Sequence, residues 1–240
     1  MTTPPEKPMI FSRAMILALL SGRKWQTRRP VKFRLPGEAT RVSGPVAVGT
    51  DVDRWSFDHS HPDSIVVEPL ACPFGVVGGR LWVRETWRPF TNMAAPGCVI
   101  DYAASSRDRS AIRWRPSIYM PRWASRLTLE ITAVRVERAQ EISETDALAE
   151  GFEADKEETW WEGFDARYPY DDGRFPFVQV PNREQPPEWL IQPRSFIHRG
   201  LGYRATDNFR VTWDSLYAKR GFGWDANPWV WVLAFRRIKP

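Results

Sequence analysis

The stretch RLTLEITAVRVERAQEISETDALAEGF, Arg126 to Phe152, reads first as a strand and then as a capped helix. Leu127, Leu129 and Ile131 alternate with Arg126, Thr128, Glu130 and Thr132, the period that buries one face of a sheet. The phase slips at Ala133, after which Val134 and Val136 take the inner positions, as a β-bulge requires. Bends of that kind let small sheets curl into barrels. Ser143-Glu144-Thr145-Asp146 then has the pattern of a helix N-terminus, and Gly151 supplies a left-handed stop. A strand and a short helix in one continuous segment predict an α+β chain. Glu150 falls in the last turn of that helix, where the macrodipole disfavours a negative charge that has no partner.

The flanking segments extend this pattern. GRLWVRETW, Gly79 to Trp87, sets Leu81 and Val83 against Trp82 and Arg84, which predicts a second strand, with Glu85 continuing its apolar side. A carboxylate in phase with core residues needs either a partner or a cavity mouth. PWVWVLAFRRI, Pro228 to Ile238, is apolar on both faces, the mark of a central or barrel strand. Near the start, Ser12 caps a predicted helix whose Met15, Ile16, Leu19 and Leu20 recur at helical spacing, and Gly22 ends it. GRKWQTRR, Gly22 to Arg29, is then a helix exit, a short rigid ledge limited by Pro30. Phe209 to Lys219 predicts a helix with Val211, Trp213 and Leu216 inward, and WRPSIYMPRW, Trp114 to Trp123, an ordered loop. Residues 34 to 78, rich in Gly, Pro, Asp and Ser, predict loops with one or two short strands. Residues 152 to 206 lack clear periodicity and predict an inserted lid, arm or flap. The expected organisation is one domain over 1–240, with its core near 9–151 and 207–238.

Charge narrows the partner class. The chain has 240 residues and a formal charge of +5, and only six of its 34 basic residues are lysine. Between Glu144 and Asp165 nine acids face Lys156 alone, a local balance of −8, so the remainder carries +13. A basic, arginine-rich body points to nucleic acid, because a guanidinium pairs with phosphate at two points and stacks on bases. Arginines beside Trp25, Trp82, Trp87, Trp114 and Trp123 suit stacking with phosphate contact. Scattered solubilising charge fits the same composition. Two cysteines form no disulfide framework, MTTPPEKPMIF has no apolar run of signal-peptide length, and MILALL is too short to span a bilayer. The expected location is cytoplasmic, with no membrane partner.

Several chemistries find no support. His59 and His61 have no second ligand pair, so a polar loop explains them better than a metal site. No Gly-x-Ser-x-Gly stretch accompanies the three histidines, and Gly75, Gly78 and Gly79 lack the trailing Lys-Ser/Thr of a P-loop. Lys24, Thr27, Glu85 and Glu150 remain, among aromatics and arginines. A threonine hydroxyl becomes a nucleophile when a base takes its proton, and a lysine desolvated beside cations such as Arg23, Arg28 and Arg29 can be that base. Spacing alone favours a surface turn at Lys24 and Thr27 and an exposed helix end at Glu150, since a two-residue gap proves no geometry.

The order of helix and GRKWQTRR, then GGRLWVRETW, then RLTLEITAVRVERAQEISETDALAEGF, then NPWVWVLAF resembles the ASCH domain family of the PUA-like superfamily, in its phage and prophage branch. The resemblance covers 9–151 with gaps and 207–238. It implies a small β-barrel with flanking helices and a cleft for RNA, nucleosides or modified bases, without a metal or other cofactor. Some small bacterial members are amidohydrolases that deacetylate N4-acetylcytidine with a Lys-x-x-Thr pair and a glutamate. Lys24-Trp25-Gln26-Thr27 matches that pair and Glu150 the glutamate. The implied catalytic set is Lys24, Thr27 and Glu150, and the implied substrate-binding set is Arg23, Trp25, Arg28, Arg29, Arg84, Glu85 and Trp87. Gly79 departs from the aspartate that many relatives carry. The chain is also about twice the size of the minimal enzymes, which suits a larger substrate such as a base within a strand. Other relatives are ribonucleases or binders, so an RNA or modified-DNA binding module is the alternative expectation.

Overall fold

The computed structural model describes residues 6–35, 39–48, 51–61, 64–91, 98–106, 113–154, 158–167, 174–181, 188, 190–198 and 204–238. It is an α+β structure with many strands and few helices. Strand β1 (Glu6–Ile10) leads to helix α1 (Arg13–Leu20) and strand β2 (Gln26–Pro30). A meander follows: β3 (Ala39–Val48), β4 (Asp51–His61) and β5 (Ser64–Ala71). After it come β6 (Arg80–Arg84), β7 (Trp87–Thr91), β8 (Cys98–Tyr102) and β9 (Thr128–Arg138). Helix α2 (Glu144–Ala149), strands β10 (Glu158–Asp165), β11 (Phe177–Pro181) and β12 (Leu190–His198), helix α3 (Ala205–Tyr217) and strand β13 (Trp229–Ile238) complete the order. Among the described residues no helix is long and apolar enough to cross a membrane.

The central sheet has the order β1-β6-β9-β13-β2, with β1 parallel to β6 and the other pairs antiparallel. The expected bulge is present: Ala234 pairs with Ala133 and Phe235 with Ile131, leaving Thr132 as the extra residue. β13 is apolar on both faces because both are covered. Trp231, Leu233 and Phe235 enter a core with Ile16 and Leu19 of α1, Leu81, Leu129 and Phe57 of the meander. Val230 and Val232 enter a second core with Ala147 of α2 and Phe209 and Trp213 of α3. Each such side chain removed from water contributes about 1.5–3 kcal/mol before entropy is subtracted. No ladder joins β1 to β2 among the described residues, but Arg29 Nη2 of β2 donates to the Ile10 carbonyl of β1 at 3.0 Å.

Several expectations need correction. GRKWQTRR is only half a helix exit: Gly22 turns at φ 77°, and Gln26–Pro30 is strand paired to β13. Residues 34–78 hold three paired strands rather than loops with one or two. The expected insertion, 152–206, contains a three-stranded sheet of order β11-β10-β12 that, among the described residues, pairs with no other strand. In α3 the inward residues are Ala205, Phe209 and Trp213, while Val211 and Leu216 are 65% and 45% exposed. A stripe at four-residue spacing brings Phe209, Trp213 and Tyr217 together, with neighbouring centroids 5.5 and 4.5 Å apart. His59 is not in a polar loop but buried in β4, with Nε2 3.2 Å from Glu68 Oε2.

Candidate active site

The site forms where the exit of α1, the start of β2 and the end of α2 meet. Ser12 caps α1 through the Met15 N–H, and Ser143 caps α2 through the Asp146 N–H. Beyond α1 the chain turns back on itself, with the Arg23 and Lys24 N–H groups donating to the Ala18 carbonyl at 2.9 and 3.1 Å. Trp25 N–H then donates to the Ala149 carbonyl, and Trp25 accepts from Phe235 N–H, both at 2.9 Å, so three distant segments hold this turn. Gly151 permits the approach. Its φ is 91°, and a Cβ there would lie 2.8 Å from Ala18 Cβ and 3.1 Å from Lys24 Cβ.

The approach places Glu150 over Lys24. Lys24 Nζ donates to Glu150 Oε2 at 2.8 Å and to the Gln26 and Glu150 carbonyls at 2.7 Å each, which engages all three of its protons. Both side chains are buried, at 0% and 2% exposure. Burial holds the Lys24 ammonium below its usual pKa of 10.5, helped by Arg29 and Arg28 and opposed by Glu150.

Strand alternation divides β2. Gln26 and Arg28 face α2: Gln26 donates to Asp146 Oδ1 at 3.1 Å, and Arg28 Nη2 bridges Asp146 at 2.8 Å and Glu137 at 3.0 Å. Arg135 also holds both Asp146 oxygens, each at 3.0 Å. Burial by itself raises the Asp146 pKa, but the Arg28, Gln26 and Arg135 contacts outweigh it and hold the carboxyl below 3.8. Thr27 and Arg29 face the other way, beside Leu233 and Trp231 in register, and the Arg29 guanidinium lies 5.4 Å from the Phe11 ring centroid. Lys24 Nζ lies at the same distance from that ring.

Four polar atoms of β2 and Glu150 are buried and unsatisfied: Thr27 Oγ1, Arg28 Nε, Arg28 Nη1 and Glu150 Oε1. Arg28 Nη1 and Glu150 Oε1 are 3.6 Å apart, beyond a good hydrogen bond. Such gaps are rare in folded proteins and mark strain or a place for a ligand group. A groove of about 350 Å³ reaches Lys24, lined by Gly22, Lys24, Trp25, Leu129, Phe235 and Arg237 among others, while Thr27, Arg28 and Glu150 do not line it.

The sequence-predicted residues therefore separate. Lys24 and Glu150 come together, while Thr27 is adjacent in the chain but its hydroxyl bonds to neither. Trp25 is 47% exposed at the groove, and Arg23 pairs with Glu153. Arg28, expected to face substrate, has a side chain with no exposure and organises the acids beneath instead. Arg84, Glu85 and Trp87 have contacts of their own. Arg84 lies over Trp82 at 4.7 Å, Trp87 under Arg115 at 5.2 Å, and both Glu85 oxygens are held by Arg126 at 2.9 and 2.8 Å. The residues missed by sequence reasoning are Asp146, Arg135, Glu137 and Gln26, whose partners lie 109 to 120 residues away or across a strand. Only the presence of Asp146 in the helix-start pattern hinted at a role. Among the described residues no group of histidine, cysteine or acidic side chains could hold a metal ion.

No protein-family model matches the chain, and neither a curated protein nor a solved structure matches it.

Proposed function

We propose that the chain is a nucleoside- or nucleic-acid-directed protein of the ASCH type, and that its site is an amidohydrolase site for N4-acylated cytosine. The observation that carries this reading is the buried Lys24–Glu150 contact at 2.8 Å, with Glu150 Oε1 and, three residues along the chain from Lys24, Thr27 Oγ1 both left unsatisfied. The +13 carried outside the acidic segment favours a nucleic-acid-derived substrate. The Arg29 contact brings the two edge strands of the central sheet near one another, which supports the PUA-like reading without closing a barrel.

In this reading the buried pair shares one proton. With the proton on Glu150, neutral Lys24 takes the proton of Thr27 as Thr27 Oγ1 bonds to the acyl carbon. Glu150 delivers its proton to N4 as the carbon–nitrogen bond breaks, releasing the cytosine amine. Water then cleaves the acyl ester, regenerating the hydroxyl and releasing a carboxylic acid. Burial favours the neutral lysine that the first step needs. Thr27 Oγ1 is closed off from water and Thr27 does not line the groove, so this reading requires the chain around it to open before the acyl group arrives.

Incubation with N4-acetylcytidine tests the reading: cytidine appears with the parent chain, and Thr27→Val and Glu150→Gln lower kcat by at least about a hundredfold. Absence of cytidine at high enzyme concentration overturns it for that substrate. NMR titration of Lys24 gives an independent check. Its amine titrates below 10.5, and Glu150→Gln moves the titration lower still by removing the charge that supports the ammonium.

A further inference from the structure

The segment Arg113 to Arg126 contains four arginines and no acidic residue. Two short 3-10 turns order it, Ser117–Tyr119 and Arg122–Ala124, each entered from a proline, Pro116 and Pro121. Met120 and Ala124 are buried against Trp87 and anchor the turns from beneath. The residues just before these anchors face outward: Tyr119 and Trp123 are each 68% exposed and Ile118 is 55% exposed. The frame is pinned at both ends. Trp87 and Arg115 exchange backbone hydrogen bonds at 3.2 and 2.8 Å, and the Ser125 hydroxyl donates to the Val83 carbonyl at 2.8 Å. Trp123 stands edge-on to Trp87 with centroids 6.0 Å apart, and the Arg115 guanidinium lies over the Trp87 ring.

Rings so exposed on rigid turns lose little conformational freedom when something stacks on them. Neither Arg113 nor Arg115 makes an ion pair among the described residues, whereas Arg122 is engaged by Glu6. Exposed aromatic faces in one segment with two guanidiniums that make no ion pair among the described residues, and with no acid in that segment, complement a strand of stacked bases and phosphates.

We propose that Tyr119 and Trp123 form a stacking platform for single-stranded nucleic acid, with Arg113 and Arg115 on its phosphates. This extends the nucleoside-directed reading from a base to a strand and does not depend on hydrolysis. The test is fluorescence anisotropy with labelled single-stranded RNA and DNA of about twelve nucleotides, within the site sizes of stacking modules. The same sequences as duplexes serve as comparison.

Single strands are expected to bind more tightly than duplexes. Trp123→Ala and Tyr119→Ala should each weaken that binding about five- to hundredfold, the loss typical of one stacked base. Arg113→Ala with Arg115→Ala should lower the slope of log K against log salt by about 1.4, two phosphate contacts on a single strand. Val211→Ala, an exposed apolar residue on α3, controls for nonspecific contact and leaves binding unchanged. The RNA and DNA arms identify which strand is preferred. Equal binding by Trp123→Ala, Tyr119→Ala and the parent chain overturns the proposal. So does sedimentation showing a dimer that Trp123→Ala dissolves, since a second copy would then cover the platform. Failure to hydrolyse N4-acetylcytidine counts against the catalytic reading alone.

Discussion

Glu85 and Glu150 are both buried carboxylates, at 1% and 2% exposure, and each follows directly on a regular element, β6 or α2. Their surroundings differ. Arg126 takes both oxygens of Glu85 in a forked contact and itself lies over the Tyr102 ring at 4.0 Å. Lys24 takes one oxygen of Glu150, and the other accepts nothing although Arg28 Nη1 is 3.6 Å away. Each Glu85 oxygen is thus held by a guanidinium N–H that stabilises the charged form, whereas Glu150 Oε1 has no donor. At equal burial, Glu85 ties β6 to Arg126 through both oxygens, while Glu150 keeps one oxygen without a donor, the feature on which the proposed role rests.

The sharpest way to break the comparison is to remove the partners. Lys24→Ala leaves Glu150 as an uncompensated buried charge and should cost about 3–5 kcal/mol in urea unfolding, with loss of any hydrolysis. Lys24→Met combined with Glu150→Leu should restore most of that stability, because no charge is then left unpaired. Arg126→Ala should cost about 2–3 kcal/mol, less than Lys24→Ala, because the Arg126 side chain is 24% exposed and water can replace part of it. Equal losses for the two would mean that the spare oxygen of Glu150 is hydrated like a surface group.

Gly151→Ala addresses how Glu150 is delivered. The positive φ and the close contacts with Ala18 and Lys24 predict a loss of about 1–3 kcal/mol, accompanied by a changed Lys24 titration. A stability loss with an unaltered titration would show that the backbone turn and the ion pair are independent.

The smallest effect concerns acid stability. The folded Asp146 carboxyl has a lowered pKa, so the stability it contributes is present above 3.8 and is lost as pH falls through the folded value. Asp146→Asn should flatten that acid limb, measured as the unfolding midpoint against pH, while Glu85 keeps its own bidentate contact.

Locally encoded features were legible in the sequence. The caps at Ser12 and Ser143, the stops at Gly22 and Gly151, the strands at β6, β9 and β13 and the bulge all depend on neighbours within a few residues. The meander was not legible, because β5 exposes seven of its eight positions to at least some degree and so shows no clean alternation. The direction of α3 was misjudged because aromatic side chains outcompeted Val211 and Leu216 for the interior. Within the site the sequence names Lys24 and Glu150, but Arg28, expected to bind substrate, is buried against acids. Its partners Glu137 and Asp146 lie 109 and 118 residues away, and no local pattern records such pairing.

The position of β13 has a consequence for the order of events in the cell. It is the most C-terminal described element, yet it sits between β9 and β2, and β2 reaches the sheet only through it. While the chain is being made, β9 has an open edge and the Lys24 turn lacks its Phe235 tether. The pairing with β2 spans some two hundred residues of chain, so its closure is slow and comes late. Completion of the Lys24 turn is thus deferred until synthesis has passed Phe235, and the nascent chain carries an unpaired strand edge until then.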